Sequence, residues 1–217
     1  MSDGRPGLLL VHDSEGLGAW QRDLEQRLVA LGFEVASPEV LEGESFPPDR
    51  QVQAALETAL TELGDREGVD AERLGVLGFG VGGTHAFLLG CASTELEVVA
   101  IFDSPIVYPE LSRERPIQPL EMALNLSAPL LAIYASSPPS ASSEEVERLR
   151  QVGSQFAKDF DIVSAESGPA LAYRQLSSSG ASGDDTASLN WAHLLTFLAD
   201  HLELPELEPR TSSSGSS

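Results

Sequence analysis

Gly78-Phe79-Gly80-Val81-Gly82-Gly83 is the stretch on which the reading of this chain turns. It follows the apolar run Leu74-Gly75-Val76-Leu77 and leads into Thr84 to Leu89, whose composition suits a helix. A strand, a sharp glycine turn and a helix are implied. Two chemical devices share that shape. One is a nucleophile elbow, G-x-nucleophile-x-G, which lifts a reactive side chain to the end of a sheet. The other is a dinucleotide-binding turn, G-x-G-x-x-G, which points backbone N–H groups at a pyrophosphate. The chain satisfies the second pattern literally. It satisfies the first only with glycine, Gly80, where the nucleophile belongs.

Outward from this turn, apolar runs alternate with helical periodicities. Leu8-Leu9-Leu10-Val11 reads as a strand buried on both faces. Trp20, Leu24, Leu28 and Leu31 recur at helical spacing, with Gly32 placed to end that helix. Phe33 to Ala36 is a second strand. Val52, Leu56, Leu60 and Leu63 mark a second helix, with Asp49 read as its N-cap. Leu74 to Leu77 is the third strand and Gly82 to Cys91 the third helix. Glu97 to Phe102 and Pro129 to Tyr134 are the fourth and fifth strands, joined by a proline-rich connection with short helical pieces. Ser142-Ser143-Glu144-Glu145 reads as a capping box opening a helix with Val146, Leu149, Val152 and Phe156 on one face. Asp161 to Ala165 is a sixth strand, with room in the pattern for a continuation to Tyr173. After a polar loop, Gln175 to Asp185, a last helix carries Trp191, Leu195, Leu198 and Leu202. This is the pattern of a parallel α/β sheet of about six strands with helices on both faces. It is read as one domain over residues 1–204, followed by a disordered tail over 205–217. In such sheets the active crevice lies at the C-terminal strand ends. The residues there are His12-Asp13-Ser14-Glu15, Gly80-Val81, Asp103-Ser104 and Ser136-Ser137.

Composition narrows the classes. Thirty-four acidic residues face 13 basic ones, a formal net charge of −21, and Lys158 is the one lysine. The acids are spread along the chain, so nucleic acid and anionic membranes are expected to be repelled. The single cysteine, Cys91, excludes an internal disulfide and a cysteine metal cluster. No apolar run reaches membrane-spanning length, and the first residues lack the signature of a secretory leader. The cytoplasm is the expected location. The acidity reads either as a strongly solvated surface or as adaptation to a salt-rich cytosol.

In order and spacing, the segments resemble the dienelactone hydrolase family, of the α/β-hydrolase fold. Arg5 to Leu17 is similar to the strand and loop that open its catalytic domain. Leu28 to Glu39 is similar to the next helix end and strand. Gly75 to Gly83 resembles the elbow, usually G-x-C-x-G-G. Ala128 to Tyr134 resembles the strand before the catalytic acid, and Leu195 to Leu198 the closing helix. The resemblance places the nucleophile at Gly80, the acid at Ser137 or Pro138, and the histidine at Pro169. It matches Asp13 with the acidic residue that pairs with the family's resting thiol. It builds the oxyanion hole from the backbone N–H groups of Ser14 and Val81.

Acyl transfer needs a nucleophile, a base and a group to orient the base, and glycine and proline supply none of these. The resemblance therefore implies a family member without hydrolytic chemistry, binding a small molecule or protein partner around Asp13, Ser14, Gly80 and Val81. A competing reading is a hydrolase with a substitute constellation of His12, Asp103 and Ser104. Another is a dinucleotide-binding protein using Gly78 to Gly83, with Asp103 on the ribose. No cofactor or metal is expected in the first reading. His85 is expected to pack, His193 to be a solvated surface residue, and His201 to complement the last helix's dipole.

The charge generates a prediction for the fold. Self-repulsion is strongest where the Debye length is long, so the thermal midpoint should rise as potassium chloride is added up to about 0.2 M. The salt-rich reading further requires the midpoint to hold or rise at molar salt. A midpoint already maximal in dilute buffer, with precipitation at molar salt, would mean that the acidic composition has another origin.

Overall fold

The computed structural model describes residues 4–41, 48–135, 141–165 and 185–204. Six parallel strands form one sheet: β1 (Arg5–Val11), β2 (Glu34–Ala36), β3 (Val69–Phe79), β4 (Leu96–Phe102), β5 (Leu130–Ala135) and β6 (Phe160–Ala165). Their spatial order is β2-β1-β3-β4-β5-β6. The chain starts in the sheet's interior, steps out to β2, and returns across β1 to β3. The turn after β3 therefore lies mid-sheet, beside the ends of both β1 and β4.

The helices are α1 (Ala19–Ala30), α2 (Asp49–Gly64), α3 (Val81–Ala92), the short α4 (Pro119–Met122) with a 3-10 turn at Ala123–Asn125, α5 (Ser143–Gln155) and α6 (Asp185–His201). Alternating side chains of each strand feed two cores. Leu9, Val11, Val76 and Ile101 pack with Leu56, Phe87 and Leu149 of α2, α3 and α5. Leu8, Leu10, Leu77 and Phe102 pack with Leu24, Leu28, Leu194 and Leu198 of α1 and α6. A sheet covered on both faces explains strands that read as continuous apolar runs. Of α3, Val81 through Phe87, Leu89, Gly90 and Cys91 are buried. A helix apolar on nearly every side is one enclosed by the fold.

Several details differ from the sequence reading. β3 begins at Val69, because Val69 and Asp70 pair with Arg5 and Pro6 before the register shifts. The polar run that hid this extension is fastened by Arg73 Nε, 2.8 Å from Asp70 Oδ2. Pro48, not Asp49, is the N-cap of α2. The Asp49 carboxylate instead accepts the Tyr108 hydroxyl at 2.6 Å. The capping box at Ser142 and Glu145 forms with both of its bonds. Phe156 ends α5 and is 49% exposed, so it leaves the apolar face assigned to it. On α6, Leu194 and Phe197 are buried where Leu195 is only half-buried, a shift of one position around the helix. His193 is not simply solvated: its Nε2 lies 2.5 Å from Asp161 Oδ2 and ties α6 to β6. His201 packs edge-on to Phe197, with Nε2 4.0 Å from Asp159. The extension of β6 toward Tyr173, the polar loop before Asp185 and the tail over 205–217 lie outside the described residues.

His85 is 1% exposed on α3, where its backbone oxygen accepts from Gln53 Nε2 at 3.0 Å. Burial, reinforced by the nearby Arg115 cation, pushes its pKa down from 6.5 to about 4. The unfolded chain therefore binds a proton near pH 6.5 that the folded chain refuses until about pH 4. Stability from this residue is complete above pH 6.5 and is lost as the pH falls toward 4, by on the order of 3 kcal/mol. Urea unfolding of the native chain and His85→Leu at several pH values should show the two stabilities converging in favour of the variant on acidification. Parallel pH profiles would show that His85 titrates normally.

Candidate functional site at the glycine elbow

Gly80 links β3 to α3 with φ +54° and ψ −126°. This is a sparsely populated conformation, open to glycine and strained for any residue with a Cβ. The turn is closed from two sides. Gly80 N donates to Phe102 O at 2.9 Å, and Gly80 O accepts from Gly83 N at 3.1 Å. The reversal thus has the geometry of a nucleophile elbow, delivered by a residue with no side chain.

The missing side chain's space is filled. A Cβ built on Gly80 would lie 2.5 Å from both Cγ and Oδ2 of Asp13. Asp13 follows the end of β1, and its Oδ1 accepts from Ser14 N at 2.7 Å and Val81 N at 3.2 Å. These are the two N–H groups that the resemblance assigns to the oxyanion hole. One carboxylate therefore stands at the nucleophile's position and occupies the donors that would steady a developing oxyanion. The first N–H of α3 adds the favourable field of a helix N-terminus.

The other glycines are required by close approach. A Cβ on Gly82 would run into the His12 backbone oxygen, and one on Gly83 into Ser104 Oγ. The first turn of α3 is wedged between the ends of β1 and β4, and its bare backbone lets it sit there. This separates the residues proposed as a substitute constellation. His12 is 2% exposed, with Nδ1 2.7 Å from Asp13 O and Nε2 buried without a partner. Ser104 is fully buried on the other side and donates to Phe102 O at 3.1 Å. Its neighbour Asp103, 1% exposed, has φ +50°, and its N donates to Ile133 O at 2.9 Å. The Asp103 charge, after burial and Glu145, holds the Tyr134 hydroxyl above its ordinary pKa. His12 and Ser104 are not hydrogen-bonded to each other. His12, Asp13, Ser14, Gly80 and Val81 do come together at one point. The acid and base positions, Ser137, Pro138 and Pro169, lie outside the described residues.

No group of three or more potential metal ligands occurs among the described residues. Among the same residues, no helix is long and apolar enough to cross a membrane. Cys91 is buried, which pushes its thiol up to about 12 and removes it as a nucleophile near neutrality.

The sequence profile of the Dienelactone hydrolase family matches residues 47–202. The chain belongs to that family. A provisionally named carboxymethylenebutenolidase of Salmonella typhi is 29% identical over 168 residues, covering 69% of this chain and 62% of the relative. A relative from Escherichia coli K12, provisionally given the same name, is also 29% identical, with 61% of its length covered. The chain thus spans somewhat less than two thirds of these curated relatives. A solved structure from Klebsiella pneumoniae, provisionally named a dienelactone hydrolase, superposes with a TM-score of 0.77 at 25% identity. That match covers 92% of this chain and 88% of the other. An acylaminoacyl peptidase from Pyrococcus horikoshii shares the fold, with a TM-score of 0.76 at 16% identity over 95% of this chain and 39% of its own.

The elbow geometry yields a coupling that can be measured. Gly80→Ala should destabilise the fold by about 2–4 kcal/mol, the sum of φ strain and displacement of the Asp13 carboxylate. In an Asp13→Ala background the same substitution should cost about 1–2 kcal/mol, leaving the strain alone. A denaturant-based double-mutant cycle with no coupling would show that the carboxylate does not occupy this space.

Proposed function

We propose that this member of the dienelactone hydrolase family has lost ester and lactone hydrolysis and acts as a binding protein at the old crevice. The observation that carries the reading is Asp13. Its carboxylate fills the position of the nucleophile and occupies the Ser14 and Val81 N–H groups. An acyl-transfer transition state would need that space and those donors together. The identities of Gly80, Ser137 or Pro138, and Pro169 at the triad positions support the same reading. The names of the relatives point to hydrolases acting on lactones, and the residues at this chain's elbow distinguish it from such chemistry.

Two other readings find less support. A site using His12, Asp103 and Ser104 would have to act across the first turn of α3, which stands between His12 and Ser104. A dinucleotide would have to place its pyrophosphate where the Asp13 carboxylate lies, anion against anion, at glycines already packed against His12 and Ser104. The third place of this turn in the chain, after two complete strand–helix units, also sets it apart from a first-strand dinucleotide site.

Purified protein should show no turnover of p-nitrophenyl acetate or of a dienelactone above buffer. Gly80→Cys alone should remain inactive, because the thiol would meet Asp13 and the resemblance puts Pro169 at the position of the base. Turnover that persists through further purification would overturn the reading. If His12→Ala or Ser104→Ala abolished that turnover, the substitute constellation would take its place.

A further inference from the structure

A cavity lies away from the elbow, on the flank formed by α2, α3 and the connection before α4. It encloses about 880 Å3, the volume of a small-molecule site. Its walls are mostly apolar: Pro48, Ala54, Leu88, Pro116, Ile117 and Met122. Leu88 is seven residues beyond Val81, roughly 10 Å along α3 from the elbow. None of His12, Asp13, Ser14 or Gly80 lines this groove.

Three polar features converge on it. Arg50 and Arg113 both line the groove. Other basic side chains among the described residues are engaged. Arg5, Arg66, Arg73, Arg148 and Arg150 lie against carboxylates. Arg22 and Lys158 donate to backbone oxygens, and Arg27 and Arg115 lie over aromatic rings. For the Arg50 and Arg113 side chains no ion pair, hydrogen bond or ring contact with another described residue occurs. In a chain of net charge −21, where carboxylates are abundant, two unpaired arginines at one apolar groove are an unusual concentration. The third feature is Gln53 Oε1, which is buried and has no partner. Its orientation is fixed, because Nε2 of the same amide donates to His85 O at 3.0 Å. A buried acceptor left unpaired costs about 1–3 kcal/mol.

Two acids, Asp49 and Glu114, line the groove beside the arginines. Asp49 is held by the Tyr108 hydroxyl at 2.6 Å, and its backbone N–H donates to Glu114 O at 3.3 Å. Glu114 is exposed at the rim.

We propose that this groove binds an amphipathic anion: a small molecule with an apolar body and one negatively charged group held by Arg50 and Arg113. The apolar walls supply binding free energy in proportion to the area covered. The arginines select the sign of the charge against the repulsive field of the whole protein. The proposal does not depend on whether the elbow is catalytically dead.

The probe is 1-anilinonaphthalene-8-sulfonate, which carries an apolar body, a sulfonate and one N–H. Its neutral counterpart is N-phenyl-1-naphthylamine, which lacks the sulfonate. Binding to the full chain is read by fluorescence in about 0.5 M potassium chloride, where long-range repulsion is screened and close contacts persist. Saturable binding at one site is expected for the sulfonate. The combined Arg50→Glu, Arg113→Glu variant should weaken the sulfonate by about tenfold or more and leave the neutral probe within about twofold. Ala54→Trp, at an exposed wall position, should abolish binding of both. Circular dichroism and thermal melting of each variant establish that the fold is retained. Sulfonate binding indifferent to the charge reversal overturns the proposal. So does binding indifferent to Ala54→Trp. A dimer that Ala54→Trp converts to a monomer overturns it too, since the groove would then be a surface between two copies of this chain.

Discussion

The Asp13 carboxylate joins the loop after β1 to the first turn of α3, and much of the crevice is arranged around that contact. It satisfies Ser14 N and Val81 N, and it fills the volume over Gly80. A half-buried anion at this place is tolerated because the donors are fixed backbone groups at a helix N-terminus, aligned before the charge arrives. Remove the carboxylate and two donors and a cavity are left. Add a side chain at Gly80 and the carboxylate must leave. The two positions are therefore one structural unit, although they are far apart in sequence.

That unit also accounts for a sharp turn with glycine at its apex. The reversal between β3 and α3 is set by the sheet: Gly80 N bonds Phe102 O, and Gly82 and Gly83 are pressed against the ends of β1 and β4. A residue with a Cβ pays about 1–3 kcal/mol to adopt such dihedrals, a cost that an enzyme carries for an exposed nucleophile. Glycine carries none of it. The wedge of α3 between two strand ends is a packing requirement, independent of any reaction, and it holds the backbone in place whatever residue stands at the turn.

How much of this was legible in the sequence depends on the range of the information. The strands were legible because both faces of the sheet are covered, which makes Leu8 to Val11 and Val98 to Ile101 continuously apolar. The Ser142–Glu145 box was legible because both of its bonds are local. The first two residues of β3 were hidden by Asp70 and Arg73, whose mutual ion pair makes a polar stretch acceptable at a sheet end. Asp49 suited a cap by type, but its carboxylate is claimed by Tyr108 from a distant loop. His193 suited a solvated face by helical phase, and phase says nothing about Asp161 on the neighbouring strand. At the elbow, the sequence identified Asp13, Ser14, Gly80 and Val81 as neighbours. That the Asp13 carboxylate lies in the space above Gly80 follows from side-chain placement alone.

The same distinction separates the elbow from the groove. The elbow is recognisable because a backbone reversal needs glycines at fixed intervals, and fixed intervals are what a sequence displays. The groove between α2 and α3 has no such intervals. Arg50 and Gln53 come from the start of α2, Leu88 from the middle of α3, and Arg113 and Ile117 from an irregular connection. Each residue taken singly has an ordinary explanation: an exposed arginine, a half-buried glutamine, a leucine on a helix flank. Their meaning lies in what the rest of the chain leaves undone. With carboxylates more than twice as numerous as cations, an arginine near the surface would be expected to find a partner, and the eight others among the described residues, like Lys158, have found a carboxylate, a carbonyl or a ring. The two that have not stand over the same apolar floor. Charge left uncompensated in an acidic protein is a constraint on what can approach it, and here it selects a negative group attached to an apolar body.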